Sequence, residues 1–311
     1  MTVSSDKIGI VFSLKTGLNS KTRLKKIQQY LETSHQAYDL FRPEGNDSVE
    51  QLARKLCNDA YRTLVVVGGD GSLNDALNGI MTADFLHKDF AFGIIPSGSV
   101  NDFARFWGIM PNDYKKSIDS IIRRKTRRID LGVFHYQGQD HVAHSRFFLN
   151  CVNIGLGARL IELSNSTKKL TGSKRVSNAM TMTGQVFERK SFDLTFQTDT
   201  ERFHEKVMSV CIGNTTGYGQ TPNAVPYNGM LDMSVITRPE WWQLFEGFWL
   251  LGKGKFLNYR NVHPYRVNEV VFTDVGKAKV SLDGRIIQQK ILTPFKVEVL
   301  PEKIPLIIPY E

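Results

Sequence analysis

Cysteine is scarce in this chain, with three in 311 residues. Cys57, Cys151 and Cys211 stand far apart among apolar neighbours, and no CxxC or Cys/His cluster occurs. That scarcity excludes a disulfide framework or a zinc finger and predicts buried free thiols in a reducing compartment. Long hydrophobic runs are missing too: no apolar stretch approaches the roughly 20 residues a bilayer-spanning helix needs. The opening, MTVSSDKIGIVF, lacks a cleavable signal pattern and enters a strand almost at once. A cytoplasmic, soluble protein is therefore expected. Internal repeats and low-complexity linkers are also lacking.

With 41% hydrophobic and 23% charged residues the composition is that of a globular chain. Its length is comfortable for two cores. The formal net charge of +9 suits nucleic acid, anionic membrane or phosphorylated small molecules. No nucleic-acid-binding module accompanies it. The densest basic cluster, RRKTRR (Arg123 to Arg128), reads as the end of a helix, where cations complement the dipole.

Up to about Arg128 the pattern alternates strand and helix. KIGIVF, AYDLFR, TLVVVGG and FAFGIIPSG read as strands, and SKTRLKKIQQYLETS, DSVEQLARKLCNDAY, GSLNDALNGIM and NDYKKSIDSIIRRK as helices. Such alternation predicts a parallel sheet covered on both faces, with ligands at the carboxyl ends of the strands. Beyond Asp130, strand-like pieces with alternating polarity dominate and predict a second, mostly antiparallel β domain. Two segments interrupt it with helical spacing, 158–190 and PEWWQLFEGFWLLGKGKF.

Two glycine-rich stretches end strands of the first part: LVVVGGDGSLNDALNG (Leu64 to Gly79) and GIIPSGSVNDFARFWGI (Gly93 to Ile109). Glycine there lets a ligand approach the main chain, and a helix opening just beyond aims N–H groups at phosphate. Asp70 would repel phosphate directly, so it implies magnesium or a substrate hydroxyl beside it, with the amides of Gly69, Gly71 and Ser72 cradling phosphate. Asp70 and Ser72 are equally good helix caps. Two such loops on neighbouring strands would face one crevice. Neither matches the GxGxxG fingerprint or the P-loop.

The residues in these loops resemble those of the diacylglycerol kinase catalytic family, which includes sphingosine kinases and bacterial soluble lipid kinases, with NAD kinases more distant. GGDGSLNDALNG resembles its GGDGT-x-x-E-x-x-NG signature, and IIPSGSVNDFAR its P-x-GT-x-NDFAR block. RRIDLG, FLNCVNIGLGARL, GNTTGYGQTPNAVPYNGMLDMSVI, VSLDGR and VEVLPEKIPLIIP follow in the family's order. The resemblance implies a three-layer α/β/α Rossmann-like N-terminal domain (1–128, with 301–311 returning to it), a C-terminal β-sandwich (129–300) and an active-site cleft between them. It implies transfer of the γ-phosphoryl group of ATP, with Mg2+, to a lipid hydroxyl.

Carried onto this chain, the resemblance assigns the nucleotide to Thr16, Gly17, Gly68, Gly69, Asp70, Gly71, Ser72, Asn74, Gly98, Ser99, Asn101 and Asp102. Lys15 and Arg105 would meet phosphate or an anionic headgroup. Asp70 and Asp130 would organise magnesium, directly or through water, and Asp283 would be the general base. Taken alone, SLDG is a hairpin turn. Where the family has NP-x-SG this chain has SLKTG (Ser13 to Gly17), and Ser72, Asp75 and Ser99 are conservative changes. Arg285 replaces the glutamate of DGE and sets a cation beside the proposed base. Asn228 replaces an aspartate where some relatives hold a structural metal, leaving Asp232 there.

The resemblance also implies a peripheral encounter with an anionic membrane and a homodimer in many relatives. Trp241, Trp242, Phe245, Phe248 and Trp249 read either as an interfacial element or as a helix packed on the β domain. Lys168 and Lys169 are headgroup candidates or a solvated face. Diacylglycerol is the default acceptor. An NAD kinase-like enzyme and a degenerate nucleotide- or lipid-binding protein are the alternatives.

Overall fold

A computed structural model describes residues 7–13, 20–44, 48–98, 100–162, 190–288 and 290–310. The chain divides into two units, residues 1–129 with 302–311, and residues 130–301.

In the first unit, strands β1 (Ile8–Phe12), β2 (Tyr38–Phe41), β3 (Thr63–Gly68) and β4 (Ala91–Pro96) pair in parallel in the order β2-β1-β3-β4. β1, β3 and β4 are buried at every residue, as parallel strands covered on both faces must be. On one face, helices α1 (Ser20–Thr33) and α5 (Tyr114–Arg123) set Leu24, Ile27, Leu31, Ile118 and Ile121 against Ile10, Phe12, Val65, Val67 and Ile95. On the other, α2 (Val49–Asn58) brings Leu56 to Gly9, and α3 (Asp70–Met81) packs on α2. The end of the last strand, β15 (Leu292–Ile307), adds to β4 through Leu306 and Phe92.

The second unit is built of antiparallel strands. After β5 (Thr126–Gln137) come β6 (Ala143–Phe148), β7 (Cys151–Gly155), β8 (Phe192–Thr198), β9 (Arg202–Gly213), β10 (Leu231–Thr237), β11 (Val262–Val267), β12 (Glu269–Asp274), β13 (Val280–Leu282) and β14 (Arg285–Ile286). They run in the order β14-β13-β7-β9-β8-β12-β15, with β10 joining β9 to β11 and β5 joining β15 to β6. Inward residues at alternating positions, among them Phe134, Phe148, Phe196, Phe272 and Phe295, form the core of a β-sandwich. A helix, α6 (Gln243–Gly252), lies between β10 and β11. Residues 156–162 are helical, and 163–189, with Lys168 and Lys169, lie outside the described residues.

The basic cluster departs from the expected helix end. α5 stops at Arg123, Arg124 takes a left-handed cap at φ 55°, and Arg127 and Arg128 belong to β5. Arg124 does more than meet a dipole: its guanidinium donates to Thr63 Oγ1 (3.0 Å) and to the carbonyls of Arg62 and Asp89.

Candidate active site

β3 and β4 lie side by side, with Gly68 opposite Pro96, so both glycine loops leave from the same sheet edge. They touch backbone to backbone. A methyl group on Gly69 would stand 2.9 Å from Gly98 Cα, and one on Gly98 would stand 2.6 Å from Gly69 Cα and 2.8 Å from Asn101 Oδ1. Only residues without a side chain permit that approach. Ser97 N–H donates to Gly68 O (2.8 Å), and Ser13 N–H to Val67 O (3.1 Å), so the stretch after β1 begins beside them.

The helix caps are not those expected. One residue separates β3 from α3, so Gly69 is the cap and Asp70 the first helical residue. Ser72 lies buried in the first turn, where its Cβ fills the space above Gly68. Asp70 instead reaches across to the second loop. Its Oδ2 accepts the Asp102 N–H (3.1 Å) and its Oδ1 the Phe103 N–H (3.2 Å), at the start of α4 (Asp102–Phe106). Asn101, left-handed at φ 55° and buried, closes the second loop on itself by accepting from Gly98 N–H (2.8 Å) and donating to Gly98 O (2.7 Å).

Asn74 is buried in α3, and its carbonyl accepts from Asn78 Nδ2 (2.8 Å). Arg105 is exposed and makes no ion pair among the described residues, so it is available to an anion. Lys15, Thr16, Gly17 and Ser99 lie outside the described residues. A residue the sequence did not single out holds the loop from behind. Arg23 of α1 donates through Nη2 to the carbonyls of Pro96 (2.6 Å) and Pro111, which bracket the second loop and α4. Burial lowers the Arg23 pKa from its ordinary value.

In the second unit, Asp283 and Gly284 turn the β13–β14 hairpin with φ of 44° and 79°, the two left-handed residues of a type I′ turn. The Asp283 carboxylate points into the protein. Oδ2 accepts the N–H of Leu149 (2.8 Å), and Oδ1 the N–H groups of Asn150 (2.9 Å) and Cys151 (3.0 Å). Only 2% of the residue is exposed. Asp130 is buried as well, and its Oδ2 accepts the Gly229 N–H (2.7 Å).

One network joins these two aspartates. Asn214 Nδ2 donates to the carbonyls of Asp130 (3.0 Å) and Leu149 (3.1 Å), and Thr215 Oγ1 donates to Asn150 Oδ1 (2.8 Å). In the sequence, Asn150, Asn214 and Thr215 stand out only as parts of the FLNCVN and GNTTGYG blocks. Their near-complete burial is the signal that they carry obligatory hydrogen bonds.

Among the described residues no group of three or more His, Cys, Asp or Glu side chains is placed to cage a metal. Magnesium needs no such cage, because it commonly keeps its waters and uses one or two carboxylates together with substrate phosphates. Asp70 at the glycine cradle fits that use. Asp232 Oδ2 is buried without a hydrogen-bond partner among the described residues, but the other oxygen is engaged. Its Oδ1 pairs with Arg266 Nε at 2.9 Å, a cation that would oppose a metal ion, and Asn228 Oδ1 accepts from Met230 N–H. Arg285, opposite Leu282 in the hairpin, is exposed.

Residues 10–134 match the diacylglycerol kinase catalytic domain, and residues 150–308 the YegS C-terminal NAD kinase beta sandwich-like domain. The chain is 26% identical over 244 residues to a diacylglycerol kinase of Staphylococcus saprophyticus, covering 76% of this chain and 74% of that one. A solved structure of a diacylglycerol kinase from Bacillus anthracis superposes with a TM-score of 0.67 at 16% identity, covering 97% of both chains. Yeast NADH kinase shares the fold at a TM-score of 0.57 and 12% identity, covering 98% of this chain and 84% of its own. With both of its units matched, this chain belongs to the diacylglycerol kinase catalytic family, a family of lipid kinases.

Proposed function

We propose that this chain transfers the γ-phosphoryl group of ATP to the hydroxyl of diacylglycerol or a related lipid. The observation that carries the reading is the backbone contact of Gly69 with Gly98, locked by Asp70 on the first turn of α4. A contact of two strand-end loops without side chains lets the phosphates of a nucleotide come close to the main chain, and Gly68, Gly71, Ser72, Asn74, Asn101 and Asp102 flank it in the chain. Asp70, with Asp130, is the candidate holder of magnesium, directly or through water. Bound there, the ion would neutralise charge on the transferring phosphoryl group. Arg105, exposed and without an ion pair among the described residues, would add a cation for phosphate or an anionic headgroup.

Phosphoryl transfer asks the protein mainly for positioning and charge. The acceptor oxygen forms a bond to the γ-phosphorus as the bond to the β-phosphate oxygen breaks, and the acceptor proton passes to Asp283. The three main-chain donors fix the Asp283 carboxylate in one rotamer. They also supply a second reading: a carboxylate so fully occupied is equally a structural post, and the chain would then bind nucleotide or lipid without turnover.

Transfer from γ-labelled ATP into a panel of acceptors (diacylglycerol, monoacylglycerol, a sphingoid base, phosphatidylglycerol and NAD) decides among these readings. The expected outcome is labelled lipid from the wild type and at least about a hundredfold less from Asp283→Asn, in the range of a lost general base. Label in NAD alone would move the chain to the NAD kinase branch. ATP binding with no labelled product would leave a degenerate binding protein.

A further inference from the structure

The helix α6 is only half covered. Leu244 and Leu250 are buried, Gly247 lies so close to Tyr259 that a methyl group on it would stand 3.0 Å from the ring, and Leu250 packs with Phe256, Tyr259 and Val262. One face of the helix is thus packed on the β domain. Away from that seat, Trp241, Trp242, Phe245 and Trp249 are 57%, 56%, 63% and 62% exposed. Three of the chain's four tryptophans stand in this patch. Water-facing aromatics in such density are unfavourable unless something covers them.

The surrounding charge selects the cover. Arg238, Lys253, Lys255 and Arg260 are exposed around the helix, against Glu240 and Glu246, and Glu246 is already paired with Arg260 at 3.5 Å. A second copy laid on this face would bring the same lysines together inside a complex of two chains each carrying +9. An anionic bilayer answers both features: indole rings partition to the depth of the headgroups, and lysines beside them meet lipid phosphates. No described helix is long and apolar enough to cross a membrane, so the contact is interfacial.

We infer that the surface formed by Trp241 and Trp242 of the preceding turn with Phe245 and Trp249 of α6 is a membrane-docking surface for anionic lipid bilayers. The inference deepens the lipid-kinase reading and rests on it for its purpose. Its measurement needs neither ATP nor turnover.

The test is vesicle co-sedimentation of the full chain with phosphatidylcholine vesicles, with and without phosphatidylglycerol. It compares the wild type, Trp241→Ser with Trp249→Ser, and Lys253→Glu with Lys255→Glu. Indole fluorescence quenching by brominated acyl chains is read in parallel. All four altered side chains are exposed, and thermal melts check that the variants fold. Wild-type protein is expected to bind phosphatidylglycerol vesicles with quenched indoles. The aromatic pair should lose at least about tenfold in partitioning, and the lysine pair should lose the preference for anionic lipid. Unchanged partitioning of the aromatic variant, or wild-type protein that binds no vesicle, overturns the inference. So does self-association that the aromatic substitutions abolish while vesicle binding persists. Turnover of a short-chain, water-soluble diacylglycerol is measured separately: its absence counts against the kinase reading, and its presence in a variant that no longer docks supports the surface.

Discussion

Asp283 shows how one residue type serves two opposed descriptions. As a turn residue beside glycine it needs only a tolerance for positive φ, which aspartate has more than most. Its carboxylate, however, ends three main-chain donors. Alanine there would orphan all three, at about 1–3 kcal/mol for each buried donor. Asp283→Ala is therefore expected to unfold at clearly lower urea concentration than Asp283→Asn, whose remaining oxygen can keep the Asn150 and Cys151 bonds. Equal midpoints would show that the cradle adds nothing to stability. The asparagine variant is accordingly the better probe of catalysis. Arg105→Ala should do the reverse, moving the urea midpoint little, because the side chain is exposed, while lowering turnover or raising the KM for ATP or lipid.

Helices and strands set other limits. A methyl group on Gly79 of α3 would collide with the Glu50 carbonyl and stand 2.9 Å from Ala53 Cβ in α2. Helix propensity favours Gly79→Ala by about 1 kcal/mol, yet a backbone carbonyl cannot rotate away as a side-chain tip can. Overpacking of about 1–3 kcal/mol or more should win, and urea denaturation of the variant would show a net loss. Gly98→Ala meets backbone as well, so it is expected to part the two glycine loops, lower the melting temperature and raise the Kd for ATP, read by nucleotide titration. Across β15, Lys296 donates to Glu298 and His135 bonds it from β5 (2.9 Å). Burial pushes the Glu298 carboxyl up, but hydrogen bonds from Lys296 and His135 outweigh it and hold its pKa below the ordinary 4.5. A lowered carboxylate stabilises the fold above its unfolded-state pKa and stops doing so as pH falls through the folded one. Melting temperature should thus fall below about pH 4.5, and less steeply for Glu298→Gln. Parallel acid limbs for the two proteins would remove Glu298 from the account.

At the scale of the molecule, each unit has its own core, and the three cysteines report on both. Cys57 lies in the first unit, and Cys151 and Cys211 in the second. All three are buried, and burial pushes the Cys57 thiol up to about 12. Native protein should resist iodoacetamide at pH 8 at all three positions, since each sulfur is buried away from the reagent. Along a urea series, mass spectrometry of labelled peptides would follow Cys57 separately from Cys151 and Cys211. Labelling of any of them without denaturant would contradict the burial described.

The sequence by itself determined what repeats locally. Buried β-branched runs, helical spacing and glycine after a strand give the parallel sheet, the position of both loops and the shift to antiparallel strands, because each depends on residues a few positions apart. Collinear motifs carried the family. Tertiary structure decided the rest. Asp70 meets the N–H groups of residues 102 and 103, Asp283 meets those of 149 to 151, and Arg23 holds the carbonyls of 96 and 111. No spacing rule reaches across such separations. The same holds for α6, whose apolar residues were legible but whose division into a seated and a bare face was not. Which side chains meet the core depends on neighbours that folding supplies, so the aromatic face appears only once Tyr259 and its surroundings occupy the other side.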